Sequence, residues 1–400
     1  MSATTDESAP TEVAAGPSPA QAATDPVLVV EDLRVHFETD AGTVKAVDGM
    51  SFAIGAGETV ALVGESGSGK SVTGMSLIGL LPKPVAHTTG SIRWKGQELV
   101  GASDDVIRKV RGREISMIFQ DALTALNPVL TVGRQISEMV RVHLGASKRD
   151  ARARAIEMLE AVGIPEPRKR FDQYPHEFSG GMRQRAMIAM AISCDPQLII
   201  ADEPTTALDV TVQAQVLEVL AEIQERTGAA VILVTHDLGV VAGVADRVMV
   251  MYAGRQVETA ATDDVFYRGR HPYTVGLMAS VPRVDRDGVV ADDDGTGRLK
   301  PIDGQPPSLL HPPSGCSFHP RCELRGMPSP CGTVDPPLLE VAPGHWSACH
   351  FADRLIERAT ETGSDLAAVA AAIEAQAGDP EAEAAANRIA EAAGIEEDPS

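Results

Sequence analysis

The chain lacks the features that mark several large protein classes. No apolar run approaches the roughly 18 residues that a membrane-spanning helix needs; the longest lie near 229–234 and 238–245 and are far shorter. The opening MSATTDESAP has neither a basic flank nor an apolar segment, so no signal peptide is expected. Basic residues are outnumbered: 35 Lys and Arg stand against 56 Asp and Glu, a net charge of −21. That balance disfavours bulk attraction to nucleic acid or to an anionic membrane. Part of it is peripheral, since residues 1–26 carry four acids and no Lys or Arg, and residues 353–400 carry twelve acids against three Arg. Cysteine is scarce too, with five in 400 residues. In a chain expected to be cytosolic, these five argue for reduced thiols or a metal site rather than structural disulfides. No long internal repeat is visible. What is present, 44% hydrophobic and 23% charged residues, is the mixture of an ordinary globular chain with room for two or three domains.

Residues 1–26 are Ala, Thr, Ser, Pro and acid, with nothing to bury, and read as a disordered tail. From Val27 the sequence VLVVEDLRVHF alternates like a strand, and MSFAIGAGETVALVG reads as a strand pair around a Gly turn. A helix is expected after the glycines at 64–69, ending near Leu81 before Pro82. Residues 131–195 are mostly helical in pattern. Within them SKRDARARAIEMLEAVG has Ser147 as N-cap, an apolar face at Ile156, Leu159 and Val162, and Gly163 as stop signal. Two buried-strand runs follow, LIIAD (198–202) and AVILVT (230–235), with a helix between them carrying Val212, Val216, Val219, Leu220 and Ile223. Strands alternating with helices predict an α/β fold with a largely parallel sheet. Past about residue 270 the composition turns to Pro, Gly and Cys, so a second, irregular unit is expected over 271–351, followed by an acidic Ala- and Glu-rich tail over 352–400.

The most informative segment is GESGSGKS, made of Gly64, Glu65, Ser66, Gly67, Ser68, Gly69, Lys70 and Ser71. It follows the apolar strand TVALV and precedes a helix, the context a phosphate loop requires. Its glycines let backbone N–H groups curl around phosphates, and the helix N-terminus adds a favourable dipole. Lys70 would neutralise β- and γ-phosphates, and the Ser71 hydroxyl would ligate Mg²⁺. The bland alternative is a flexible Gly/Ser turn. LIIADEPTTALD ends its strand in two carboxylates, at the usual ligand edge of a parallel sheet. Asp202 suits the Mg²⁺ shell and Glu203 a water facing the γ-phosphate. In FSGGMRQRAMIAMAIS, Ser179, Gly180 and Gly181 open a helix whose exposed N–H groups form a second anion site. One nucleotide needs one phosphate loop, so a second cradle suggests a nucleotide held by a partner; taken without that context, a plain Ser-capped helix start is the favoured alternative.

These segments, with Gln120 in MIFQD and His236 in LVTHD, resemble the nucleotide-binding subunit of ABC transporters, in family order over roughly 27–265. The resemblance implies a P-loop NTPase fold of ABC type, with a nucleotide-binding domain over 27–270 and a helical signature subdomain over about 121–195. It implies that Phe37 stacks on adenine, where many family members have Tyr. Gln120 would touch Mg²⁺ and the attacking water, joining Ser71 and Asp202 in the metal shell. Glu203 would be the general base or water-orienting carboxylate, and His236 would hold the γ-phosphate. Ser179, Gly180, Gly181 and Gln184 would complete the partner's ATP site, and Asp209 would contact the opposite subunit. No catalytic position is degenerate, so ATP hydrolysis is expected.

The downstream segments HPYTVGLMASVP (271–282), IDGQPPSL and GCSFHPRC resemble the C-terminal extension of ATPases from oligopeptide, dipeptide and nickel importers, up to about residue 351. That branch implies two transmembrane permease subunits, a second related ATPase, an extracytoplasmic solute-binding protein, and a peripheral position on the cytoplasmic face of the membrane. Cys316, Cys322, Cys331 and Cys349 have the spacing C-x5-C-x8-C-x17-C. Four thiolates suit zinc or an iron–sulfur cluster, and the spacing alone chooses neither; reduced thiols remain a third reading. The resemblance implies a [4Fe–4S] cluster. His319 and His350 adjoin the cysteines, while Cys194 stands apart as a small buried hydrophobe. The acidic stretch 285–298 has no assigned role. A soluble ABC ATPase of repair or translation is disfavoured, because the chain has neither a long coiled-coil insertion nor a second cassette. A regulatory module without turnover is disfavoured by the presence of Glu203 and His236.

Overall fold

A computed structural model of the chain describes residues 26–205, 210–279, 302–322, 330–352 and 355. The proposed N-terminal tail up to residue 25, Asp209, the acidic stretch 285–298 and the tail from 356 onward lie outside the described residues. In chain order the strands are β1 (Pro26–Thr39), β2 (Gly42–Gly55), β3 (Thr59–Val63), β4 (Ala86–Trp94), β5 (Gln97–Glu98), β6 (Ile115–Ile118), β7 (Leu198–Asp202), β8 (Ala230–Thr235), β9 (Arg247–Tyr252), β10 (Arg255–Ala261), β11 (Leu339–Ala342) and β12 (His345–Ser347). They form a four-stranded antiparallel sheet ordered β2-β1-β4-β5 and an eight-stranded sheet ordered β11-β12-β10-β9-β3-β8-β7-β6. The run β9-β3-β8-β7-β6 is parallel, and β10, β12 and β11 extend it as antiparallel neighbours.

The uninterrupted apolar character of β7 and β8 follows from burial on both faces. Successive side chains alternate: Leu198 and Ile200 join Leu28, Phe52 and Trp94 in a core shared with the four-stranded sheet. Ile199 and Ala201 face the other way, into a core built with the helices Val132–Leu144, Lys148–Ala161 and Gly180–Ile192. The predicted cap is present, Ser147 Oγ accepting from the Asp150 N–H. A third core, around Tyr252, Phe266, Tyr273 and Phe318, lies under the residues that follow β9.

Two local expectations change. The segment read as a strand pair around a Gly turn does hold two strands, but β2 and β3 join different sheets, so the turn at Gly57 is a crossing between layers. The helix expected to reach Leu81 spans only Lys70–Leu77. Gly79 takes a left-handed φ of 61°, and the Gly79 and Leu80 N–H groups bond back to Ser76 and Met75. That is the glycine-terminated C-cap, whose signal in the sequence outranks the later proline.

Candidate active site

The parallel register brings the C-terminal ends of four neighbouring strands to one edge, the place where such sheets bind ligands. Val63 lies opposite Thr235, Val234 opposite Asp202, and Ala201 opposite Ile118. The residues just beyond those ends are Gly64, His236, Glu203 and, two past Ile118, Gln120.

The phosphate loop turns tightly out of β3. Gly69 has φ of 106°, and a Cβ there or at Gly64 would collide with the carbonyls of Ala46 or Met251. Only glycine allows the backbone that close. Ser66 and Gly67 form the exposed rim. Lys70 is buried and donates to the carbonyls of Gly64 and Glu65, at 2.7 and 3.0 Å, closing the loop on itself. Burial lowers its pKa, against the pull of Glu203, Asp202 and Glu65. The Ser68 hydroxyl is buried with no hydrogen-bond partner. A buried orphan hydroxyl in a glycine loop is a donor in wait of an anion.

Across from it, Ser71 Oγ donates to Asp202 at 2.9 Å. The Asp202 carboxyl is raised, first by burial and also by the Glu203 charge, against the Ser71 hydrogen bond and Lys70. A hard cation at this oxygen pair would relieve that penalty, which is the donor chemistry Mg²⁺ requires. Glu203 is the meeting point of the remaining groups. Gln120 Nε2 donates to its Oε2 at 2.7 Å, and His236 Nδ1 lies 3.3 Å from its Oε1. Its own backbone has φ of 45°, a conformation costing about 1–3 kcal/mol outside glycine and typical of constrained functional positions. The Glu203 N–H is fixed to the Val234 carbonyl at 2.9 Å. Strain and anchoring together aim one carboxylate between Gln120 and His236.

Ser179 caps the Gly180–Ile192 helix by accepting from the Met182 N–H, and Ser179 and Gly180 are exposed at its tip. Gln184, one turn further, is not at that tip: it is buried and donates to the Pro204 carbonyl at 2.7 Å, tying the helix to the loop after β7. Phe37 lies on β1 opposite Val44 and Ala86, half-buried against the shared core.

The four downstream cysteines line one pocket with His271, Phe318 and His319. The Cys316 N–H donates to the Cys331 carbonyl at 2.9 Å. Burial, reinforced by the other cysteines nearby, pushes Cys316 up to about 11 and Cys349 up to about 12. As the side chains stand, no three His, Cys, Asp or Glu groups among the described residues converge as a metal shell. His319 Nδ1 and His350 Nε2 instead face the carbonyls of Cys316 and Val334. Cys194 is buried, with its pKa raised by that burial.

Two residues at the phosphate loop escape a motif-based reading. The Tyr273 hydroxyl accepts from the Glu65 N–H at 2.8 Å, and Arg321 grips the Glu65 carboxylate. Their segments, HPYTVGL and GCSFHPRC, are visible in the sequence, but nothing in them names the loop as their target.

The ABC transporter family matches residues 47–206, and the family of the oligopeptide/dipeptide transporter C-terminal region matches residues 257–328. The chain is 52% identical over 338 residues to the dipeptide transport ATP-binding protein DppD of Bacillus subtilis, covering 84% of this chain and 98% of that one. It is 49% identical over 330 residues to the oligopeptide transport ATP-binding protein OppD of Escherichia coli, covering 82% and 94%. Among solved structures, the post-hydrolysis dimer of the ATP-binding cassette MJ0796 bound to ADP and Pi aligns with TM-score 0.53 and 26% identity, covering 59% of this chain and 98% of that one.

Proposed function

Because the chain belongs to the ATP-binding subunits of the oligopeptide/dipeptide branch of ABC transporters, we propose that it hydrolyses ATP to energise peptide import across the cytoplasmic membrane. The observation that carries this reading is the single edge at which Lys70, Ser71, Asp202, Gln120, Glu203 and His236 meet. The backbone of residues 64–70 and Lys70 would hold the β- and γ-phosphates. Ser71 and Asp202, with Gln120 reaching in, would hold Mg²⁺, whose charge offsets that of the phosphates. Glu203 would orient a water and take its proton as the water oxygen bonds to the γ-phosphorus. The bond to the bridging oxygen breaks, and ADP leaves with the electron pair. Gln120 and His236, both against Glu203, would keep that carboxylate pointed at the water and the γ-phosphoryl group. Catalysis of this kind is mainly positioning and charge stabilisation.

No helix among the described residues is long and apolar enough to cross a membrane. By its family, the reading gives the chain a peripheral place on the cytoplasmic face, held by two transmembrane permeases. A second related ATPase completes a dimer in which Ser179, Gly180 and Gly181 face its ATP, with Asp209 at the contact, and a solute-binding protein delivers peptide outside. The trans arrangement is testable. In the assembled complex, azido-ATP labelling of this chain should fall in Lys70→Ala. In Ser179→Arg it should persist on this chain while the partner's site is impaired. Equal loss from this chain in both variants would defeat the arrangement.

The same branch implies that Cys316, Cys322, Cys331 and Cys349 hold one structural metal centre, [4Fe–4S] with zinc as the alternative. The pocket that the four cysteines share supports it, and a bound metal would favour the thiolates that burial disfavours. The centre would cross-link a Pro-rich segment. Anaerobic purification should give about four iron per chain, the content of a Cys₄-held [4Fe–4S] cluster. Zinc without iron would select the alternative, and four freely titrating thiols would remove the site.

A further inference from the structure

Glu65 poses an electrostatic problem within the phosphate loop. Glu65 is the second residue of the loop that would hold a polyanion, and its carboxyl side chain is only 24% exposed. Left alone, it would repel the phosphates that the loop's N–H groups attract.

The carboxylate is not left alone. Arg321 Nη1 donates to Oε2 at 2.7 Å and Nη2 to Oε1 at 3.0 Å, a bidentate pair across 256 residues of chain. Arg321 is 6% exposed, and its five N–H donors are all engaged. Nε reaches the Asp303 carbonyl at 2.9 Å, Nη2 the Ile302 carbonyl at 3.1 Å, and Nη1 the Tyr252 hydroxyl at 3.3 Å. A guanidinium so fully used has one orientation available. Burial works against its charge, but the hydrogen bonds to Glu65 and Tyr252 and the Glu65 charge outweigh it, and its pKa is raised. On the other side of the same residue, Tyr273 accepts from the Glu65 N–H. Phe318 packs edge-on to Tyr252 at 5.2 Å and tilted to Tyr273 at 5.4 Å, so the two grips share one aromatic footing. Arg321 itself closes the short turn His319–Arg321, which borders the four-thiol pocket.

We propose that Arg321 is a positioning residue for nucleotide binding: it neutralises Glu65 and fixes the loop's backbone, making the C-terminal extension a working part of the ATP site. The proposal rests on the reading of that site as one for ATP. It assigns Arg321 no contact with the nucleotide. The residue acts through Glu65, so its effect must depend on what stands at position 65.

The test uses the assembled complex, with apparent ATP affinity of this chain read by chain-resolved azido-ATP labelling and KM and kcat read from phosphate release. Wild type should label and Lys70→Ala should not; failure of that control would strike the ATP reading and leave Arg321 aside. Given the control, Arg321→Met should weaken labelling and raise KM by about 10–100-fold, the range for losing a charge-assisted bond to a buried group. The value of kcat should change far less. Arg321→Lys should recover part of the affinity. In a Glu65→Gln background, Arg321→Met should cost markedly less, because no uncompensated carboxylate remains. An affinity for Arg321→Met within twofold of wild type would overturn the proposal, and so would an equal loss in both backgrounds. If Arg321→Met fails to assemble, Arg321→Lys decides with the same pair of backgrounds: a loss confined to the Glu65 background supports the proposal, and an equal loss overturns it.

Discussion

Strand β3, which delivers the phosphate loop, buries all five of its residues between β8 and β9. Strand β11 of the extension sits at the far edge of the same sheet, paired with β12, and leaves Leu339 47% exposed. The first region is held by apolar burial, at about 1.5–3 kcal/mol for each Val or Leu. The second has an apolar core of its own around Tyr273 and Phe318, and it adds a few polar links that reach far along the sequence. Glu258, fully buried, accepts from the N–H groups of Arg270 and His271 and lies 2.6 Å from His345 Nε2. Arg255 bridges Asp48 and Asp335, and Arg321 reaches Glu65. The contrast separates two ways of building around one site. A continuous apolar core sets the strand ends, and a smaller apolar core with long-range polar links holds a second segment against them.

The largest expected effect lies wholly in the first region. Glu203→Gln keeps the side chain's size and removes the proton acceptor. Phosphate release by the assembled complex should fall roughly 10²–10⁴-fold, the usual worth of a positioned base, with ATP retained. Thermal stability and the protease resistance of 330–352 should not move, since the exchange leaves the size of the side chain between Gln120 and His236 unchanged. Wild-type release would remove Glu203 from its role. A loosened extension would show that the two regions are not held separately.

The next effect belongs to the second region. Glu258→Ala leaves two backbone N–H groups and His345 without their buried acceptor. Breaking one side of a buried polar pair costs on the order of 3–5 kcal/mol. Amide hydrogen exchange should therefore lose protection over 339–347 while 230–235 stays protected. Equal loss in both places would merge the two regions into one cooperative unit.

Legibility in the sequence divides along the same line. LIIAD and AVILVT are strands with the expected bounds, because residues buried on both faces must be apolar in an unbroken run. The phosphate loop is legible because the glycines that permit its backbone are contiguous. Gln120, Glu203 and His236 lie 83 and 33 residues apart in sequence yet within hydrogen-bond reach in space. Composition could not bring them together; the family resemblance did, and parallel register supplies the physical reason. Gln184 looks like a signature residue in sequence, but the helix turns it inward to Pro204. Arg321 and Glu258 carried no local signal at all. A charged residue reads as solvated until its partner, 256 or 87 residues away, is placed beside it.

The smallest expected effect falls on the feature most plainly written in the sequence. Ser147 precedes a helix, with Asp150 three residues on, and the structure has Ser147 Oγ accepting from the Asp150 N–H at 3.2 Å and donating to its carboxylate at 2.7 Å. Ser147→Ala removes both bonds, yet this helix end is exposed, so water takes over the uncapped N–H groups. The loss should be about 1 kcal/mol, a fall in melting temperature of about 2–4 °C for a domain of this size. The helix still buries Ala155, Met158 and Leu159, which hold it to the core without its cap. Differential scanning calorimetry on Ser147→Ala and Glu258→Ala, side by side, ranks a local, readable device against a distant, unreadable one. A cap worth as much as the buried carboxylate would break the comparison. A cap worth a quarter of it would mean that the signals easiest to read in this chain mark where elements begin, while the groups that hold the site together are those the sequence conceals.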